Sequence, residues 1–123
     1  MLDVLIVDDS AAIRKILQRV LRQADLPLGQ VYEAGDGVEA LRALGSQHVD
    51  LVFADINMPN MDGLQLLGRI KDAEEWKHVP VIMVTTEGNE SKVMAAANLG
   101  AAGYVRKPFS AEQFRQTLEG ILP

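Results

Sequence analysis

The sequence predicts an α/β fold: a doubly wound, five-stranded parallel sheet with helices on both faces. Three observations predict it. Short apolar runs alternate with stretches of helical spacing, five of each. The first and third runs are nearly continuous in hydrophobicity, as strands covered on both faces require. The connections are short, so each strand feeds the next helix directly.

Each element has its own justification. Leu2-Asp3-Val4-Leu5-Ile6-Val7 is the first apolar run. Ser10 is placed to cap a helix in which Ile13, Ile16, Leu17, Val20, Leu21 and Ala24 share one stripe, with Arg14, Lys15, Arg19 and Arg22 off it. Gln30 to Ala34 reads as a second, weaker strand. Asp36-Gly37 opens a helix carrying Val38, Leu41 and Leu44 that ends near Gly45. Leu51-Val52-Phe53-Ala54 is the third strand, and Pro59 and Gly63 punctuate the loop after it. A helix from about Leu64 to Ala73 follows, with Leu64, Leu67 and Ile70 on one face. Pro80 precedes the fourth strand, Val81 to Thr85. A small-residue helix runs from about Glu90 to Leu99 and stops at Gly100. Tyr104-Val105-Arg106 is a short fifth strand. Ser110 and Gln113 form a capping box for a last helix bearing Phe114, Leu118 and Ile121, which ends within two or three residues of Pro123.

All 123 residues therefore read as one domain with no output segment. A chain this long buries roughly 70% of its unfolded surface and needs no staples. With 48% hydrophobic and 24% charged residues, the composition argues against disorder and fibres. The absence of cysteine removes disulfides, zinc–thiolate and iron–sulfur centres and thiol nucleophiles, and fits a reducing compartment. A net charge of −5 argues against a broad grip on nucleic acid phosphates. No secretory signal follows Met1, and the longest uncharged run, Val93 to Val105, is too short to span a bilayer. A cytoplasmic location without membrane contact is expected.

In an open parallel sheet, ligands bind beyond the carboxyl ends of the strands. Asp8-Asp9 follow the first strand and Asp55 the third. Thr85, Thr86 and Glu87 end the fourth, and Lys107 follows the fifth. Three carboxylates at one edge repel one another unless a cation intervenes. A hard divalent ion with oxygen ligands is the natural compensation, and Mg²⁺ leaves room for a phosphate oxygen. Metal, lysine, hydroxyl and a carboxylate nucleophile together suit phosphoryl transfer to Asp. Each residue also has an ordinary explanation. Asp9 or Ser10 can be a cap, Asp55 a turn former, Lys107 a solvated surface residue and Thr85 a strand former. The conjunction is what favours chemistry. His48 and His78 fall before strands at the other edge and read as loop residues.

Four motifs carry a resemblance. They are Val7-Asp8-Asp9-Ser10, Asp55-Ile56-Asn57-Met58-Pro59-Asn60-Met61-Asp62-Gly63, Val84-Thr85-Thr86, and Gly103-Tyr104-Val105-Arg106-Lys107-Pro108-Phe109. Together the chain resembles the receiver domain of bacterial response regulators, most closely the stand-alone, CheY-like type. The resemblance implies a flavodoxin-like (βα)5 sandwich with strand order 2-1-3-4-5. It implies that Asp55 is the phosphoacceptor, and that Asp8, Asp9, Asp55 and the Asn57 backbone carbonyl hold Mg²⁺, with Mn²⁺ as a substitute. Asp9 would bind directly and Asp8 through water. Lys107 would contact a phosphate oxygen, and Thr85 would donate its hydroxyl to the phosphoryl group. Tyr104 would be the aromatic switch, and the Lys107–Pro108 peptide would be cis. Asn57, Thr86 and Glu87 occupy positions that tune the switch, and Asn57 and Glu87 imply a short-lived phosphoryl group.

Two departures stand out. Ile56 replaces a tryptophan found after the acceptor in CheY, leaving Trp76 as the sole tryptophan, in a loop at the opposite end of the sheet. Thr86 is larger than its counterpart in many receivers.

The implied partners are a histidine kinase or histidine phosphotransfer protein and a downstream target. The target would read a surface of the fourth helix, fifth strand and fifth helix. A monomer is expected, with a phosphorylation-dependent dimer as the alternative. The basic cluster Arg14, Lys15, Arg19 and Arg22 is a candidate docking face for the phosphodonor. The rival readings are a phosphorelay intermediate, an aspartate-based phosphatase and a nucleotide carrier. The phosphatase needs a second Asp where Asn57 stands. The carrier needs a glycine- or hydroxyl-rich phosphate loop where Asp8-Asp9 stand.

Overall fold

A computed structural model describes residues 1–121. Its strands are β1 (Leu2–Val7), β2 (Leu28–Ala34), β3 (Leu51–Ala54), β4 (Val81–Thr85) and β5 (Gly103–Arg106). Its helices are α1 (Ala11–Gln23), α2 (Gly37–Ser46), α3 (Gly63–Asp72), α4 (Glu90–Asn98) and α5 (Ala111–Glu119). The strands form one parallel sheet in the order β2-β1-β3-β4-β5. The resemblance implied that order, and the alternation of elements required the parallel pairing.

The continuous apolar runs divide by alternation, because successive side chains leave a strand on opposite faces. Leu5, Val7, Val52, Ala54, Val81 and Met83 pack with α2, α3 and α4 through Ala40, Leu44, Leu66, Leu67, Ile70 and Ala96. Val4, Ile6, Leu51, Phe53, Ile82, Val84 and Val105 pack with α1 and α5 through Leu17, Leu21, Phe114 and Leu118. Phe114 stands edge-on to both Phe53 and Phe109, with ring centroids 5.7 and 5.3 Å away.

The boundaries required some correction. β2 starts at Leu28, not Gln30, and Leu28 pairs with Leu2 across a register shift. Gly29 hides this start, because glycine reads as a break. Here it admits the Asp3 carboxylate, whose Oδ1 lies 2.4 Å from where a Cβ would stand. α2 passes through Gly45 and ends at Ser46. α3 begins at Gly63, one residue before the expected start, behind a capping box of Asp62 and Gln65. The box predicted for α5 is present on Ser110 and Gln113. α5 ends at Glu119, and the end expected near Pro123 lies outside the described residues. α4 stops where expected, with Gly100 at a φ of 98°, which glycine adopts without a side-chain clash. Among the described residues no helix is long and apolar enough to cross a membrane.

Candidate functional site

Parallel pairing aligns the carboxyl ends of β1, β3, β4 and β5, and so gathers the residues that follow them. The ladder extends one step past the strands: Asp8 N–H donates to the Ala34 carbonyl and Asp55 N–H to the Val7 carbonyl, both at 3.0 Å. Asp8 and Asp55 are therefore fixed by backbone, side by side, at 3% and 8% exposure. Asp9 is exposed. One oxygen from each of Asp8, Asp9 and Asp55 lies within 4.8 Å of the other two.

Lys107 reaches across from β5. Its Nζ donates to Asp8 Oδ2 at 2.7 Å and to Asp55 Oδ2 at 3.0 Å. The lysine is placed by its own N–H, which donates to the Thr85 carbonyl, and the Lys107–Pro108 peptide is cis as expected. Burial pulls the ammonium pKa down, but hydrogen bonds to Asp8 and Asp55 and their charges outweigh it and hold Lys107 above the ordinary lysine range. Three negative charges against one positive leave a deficit that a divalent cation matches. All the donors are oxygen, the set a hard ion such as Mg²⁺ prefers, so these residues fit that ion.

Around this centre, Ser10 N–H donates to Asp8 Oδ1 at 2.9 Å, and the Ser10 hydroxyl caps α1. Asn57 N–H makes a long 3.3 Å bond to Asp55 Oδ1. Thr85 is fully buried, and its Oγ1 accepts from Glu87 N–H at 3.2 Å. Tyr104 donates its hydroxyl to the Glu87 carbonyl at 2.6 Å, and its ring lines an apolar pocket with Val93, Ala96 and Ala101. Burial and the nearby Glu87 charge push the Tyr104 phenol above its usual range. The Glu87 carboxylate turns toward α4, accepting from Asn89 N–H with Lys92 Nζ 3.7 Å away. Thr86 is exposed and lines a separate groove with Ile13, Ile16, Lys107 and Phe109.

The basic cluster of α1 is not one free face. Arg14 Nε and Lys15 Nζ both hold Glu33 of β2 at 3.0 Å. Burial raises the Glu33 pKa, but the two cations outweigh it and hold it below the ordinary glutamate range. Arg14 also donates to the Asp8 carbonyl at 2.5 Å, which makes it a support of the acidic turn. Arg19 and Arg22 are exposed. Sequence reasoning missed Glu33, since nothing local pairs it with residues 18 and 19 positions away. It also treated Asp36 only as a helix opener. Asp36 is buried, caps α2 by accepting from Glu39 N–H at 2.9 Å, and accepts from Asn60 Nδ2 at 2.7 Å.

At the other end of the sheet, Asp3, His48 and Asp50 form a second group. Its carboxylates tie strand starts together: Asp3 N–H donates to Asp50, Gln30 N–H donates to Asp3, and the His48 ring lies 2.8 Å from Asp50. The expectation of ordinary loop histidines gains a partner for His48 but no link to the acidic site.

The family described as response regulator receiver domain matches residues 4–119. Chemotaxis protein CheY-3 of Vibrio cholerae is 42% identical over 118 residues, covering 96% of this chain and 89% of that protein. Chemotaxis protein CheY of Pseudomonas aeruginosa is 42% identical over 118 residues, covering 96% of this chain and 94% of that protein. The solved structure of the chemotaxis response regulator CheY4 of Vibrio cholerae superposes with a TM-score of 0.85 at 34% identity, covering 99% of each chain. The Mn²⁺-bound response regulator Rcp1 superposes with a TM-score of 0.79 at 28% identity, covering 98% of this chain and 91% of that one.

Proposed function

Because the chain belongs to the response regulator receiver domain family, CheY-like by its relatives, we propose that Asp55 accepts a phosphoryl group from a phosphohistidine on a kinase or phosphotransfer protein. Such a domain is a signalling switch rather than a turnover enzyme. The observation that carries the assignment to Asp55 is the buried Asp8–Lys107–Asp55 bridge with exposed Asp9 beside it.

In the transfer, an Asp55 carboxylate oxygen forms the new P–O bond as the P–N bond to the donor histidine breaks, and the bonding pair leaves with the imidazole. Asp8, Asp9, Asp55 and the Asn57 carbonyl would hold Mg²⁺, which supplies positive charge against the phosphoryl oxygens. Lys107 gives up its bond to Asp55 and donates to a phosphoryl oxygen instead. Thr85 exchanges its local contact with Glu87 N–H for a bond from its hydroxyl to the phosphoryl group. That exchange loosens the turn whose carbonyl holds Tyr104, so the tyrosine can repack against α4. The surface of α4, β5 and α5 then differs between the two states, and a downstream protein reads the difference.

Exposed Arg19 and Arg22 on α1 offer charge for docking the donor. Arg14 belongs to the site instead. Asn57 has no titratable proton, which favours a switch over an aspartate-based phosphatase. A relay that passes the phosphoryl group onward would use the same first step. The reading places the protein in the cytoplasm with its kinase.

Incubation with acetyl phosphate and Mg²⁺ should add one phosphoryl group, seen as an intact-mass shift. Asp55→Asn or chelation with EDTA should abolish the shift. An unchanged shift in Asp55→Asn would remove Asp55 from the role.

A further inference from the structure

We infer that Asp36 and Asn60 form a latch that positions the loop after β3, and with it the Asn57 carbonyl, for cation binding. The inference rests on the metal-dependent reading of the acidic site and adds positioning residues that lie outside it.

The loop from Asp55 to Asp62 carries the reacting carboxylate and the carbonyl ligand, yet few of its backbone groups pair within it. Its base is fixed where Gly63 N–H donates to the Ile56 carbonyl at 2.8 Å. At its tip Met61 N–H donates to the Pro59 carbonyl at 2.7 Å and Asp62 joins the α3 capping box, and the start of α2 adds a hold from outside the loop. Asn60 Nδ2 donates to Asp36 Oδ2 at 2.7 Å, Gly37 N–H donates to the Met61 carbonyl at 3.2 Å, and the Met61 side chain lies where a Gly37 Cβ would be, 2.6 Å from that point.

The anchor is rigid. The other oxygen of Asp36 caps α2, and α2 is seated in the core by Ala40 and Leu44. The latched residue also sits in a costly conformation. Asn60 has a φ of 65°, a left-handed backbone that asparagine tolerates better than most residues. Between base and tip, Asn57 makes one long hydrogen bond, to Asp55 Oδ1, an oxygen belonging to the cation site, while Ile56 beside it is buried and Met58 packs against the core. Once a cation competes for that oxygen, the Asn57 carbonyl is placed by the packing of Ile56 and Met58 and by where the tip is held, three residues further along the chain.

The bond joins one carboxylate and one amide, so its direction can be reversed. Asn60→Asp sets two carboxylates against each other. Asp36→Asn combined with Asn60→Asp restores a donor and an acceptor while keeping an oxygen at position 36 to cap α2. Asn60→Gly keeps the left-handed backbone and deletes the bond. The measurement is Mg²⁺ affinity by titration calorimetry without any phosphodonor, with thermal unfolding of each variant alongside. Asn60→Gly and Asn60→Asp should each weaken Mg²⁺ binding about tenfold, near the low end for outer supports of metal ligands. The swap should recover wild-type affinity within about threefold. The extra negative charge of Asn60→Asp would by itself strengthen cation binding, so weakening cannot come from charge alone.

Wild-type affinity in folded Asn60→Gly, or a folded swap that stays as weak as Asn60→Asp, would overturn the latch. Wild-type protein that binds no Mg²⁺, or Asp9→Asn that binds it equally well, would instead overturn the metal-site reading beneath it.

Discussion

Lys107 is the residue whose removal the site should tolerate least. It neutralises two carboxylates that are fixed by backbone and cannot separate. Breaking one side of a buried ion pair costs about 3–5 kcal/mol. The Lys107 side chain keeps 14% exposure, so about 2–3 kcal/mol is expected for Lys107→Ala at neutral pH. The folded pKa of Lys107 is raised, so its contribution is fully present below the unfolded lysine value of about 10.4 and fades as pH rises through the higher folded value. Thermal melts should therefore show wild type and Lys107→Ala far apart at pH 7 and converging in strong alkali. Added Mg²⁺ should stabilise the variant more than wild type, because the ion replaces the missing charge. Equal melting temperatures at pH 7 would show that the bridge contributes nothing to the fold. Asp8, Asp55 and Lys107 were legible in the sequence because each directly follows a strand. Parallel topology turns that local fact into proximity. Arg14 was legible as a charge but not as a support of the site, since one acceptor, Asp8, follows β1 and the other, Glu33, lies on β2.

At the scale of elements, the β3–α3 connection shows where space, rather than backbone freedom, demands glycine. A Cβ on Gly63 would stand 2.0 Å from the Asp55 carbonyl oxygen, and both partners are backbone. Neither can yield without moving β3 or the capped start of α3. Gly63→Ala should cost about 3 kcal/mol in denaturant unfolding, at the upper end for overpacking, and should weaken Mg²⁺ binding by displacing Asp55. Gly45 is the contrast: it lies inside α2 with nothing within 4 Å of its virtual Cβ. Gly45→Ala should stabilise the protein by up to about 1 kcal/mol. If Gly63→Ala proves as mild as Gly45→Ala, the loop is softer than its contacts imply. The same two glycines mark what was legible in the sequence. The helix end expected near Gly45 falls at Ser46, the next residue. Gly63 read as a loop residue because the Asp62–Gln65 box is recognisable only once Asp62 is known to lie outside the helix. β3 and β4 were the easier elements, since burial on both faces writes itself as a nearly unbroken apolar run, whereas Gly29, Gln30 and Glu33 interrupt β2.

Across the whole molecule, the sheet separates two polar ends. The acidic site crowns the carboxyl ends of the strands. Trp76 sits in the turns between α3 and β4, lining a pocket with Leu44, His48, Val49 and Val79 near the starts of β3 and β4. β3 alone contributes four residues between these ends, on the order of 13 Å of extended chain. Cation binding at Asp8, Asp9 and Asp55 changes charge and hydrogen bonding locally, while β3 and β4 between the two ends are fully buried and close-packed. Trp76 emission should therefore change little when Mg²⁺ or beryllofluoride is added at saturating concentration. Saturation must be established independently by calorimetry on the same sample. A tryptophan placed at Ile56 should respond strongly, because that position directly follows Asp55. Ile56 is itself buried, so thermal unfolding must first show that Ile56→Trp remains folded. Strong quenching of Trp76 in the wild-type chain would mean that ligand binding repacks the α3–β4 turns. The switch would then reach beyond α4, β5 and α5, and the far end of the sheet would become part of what a partner can read.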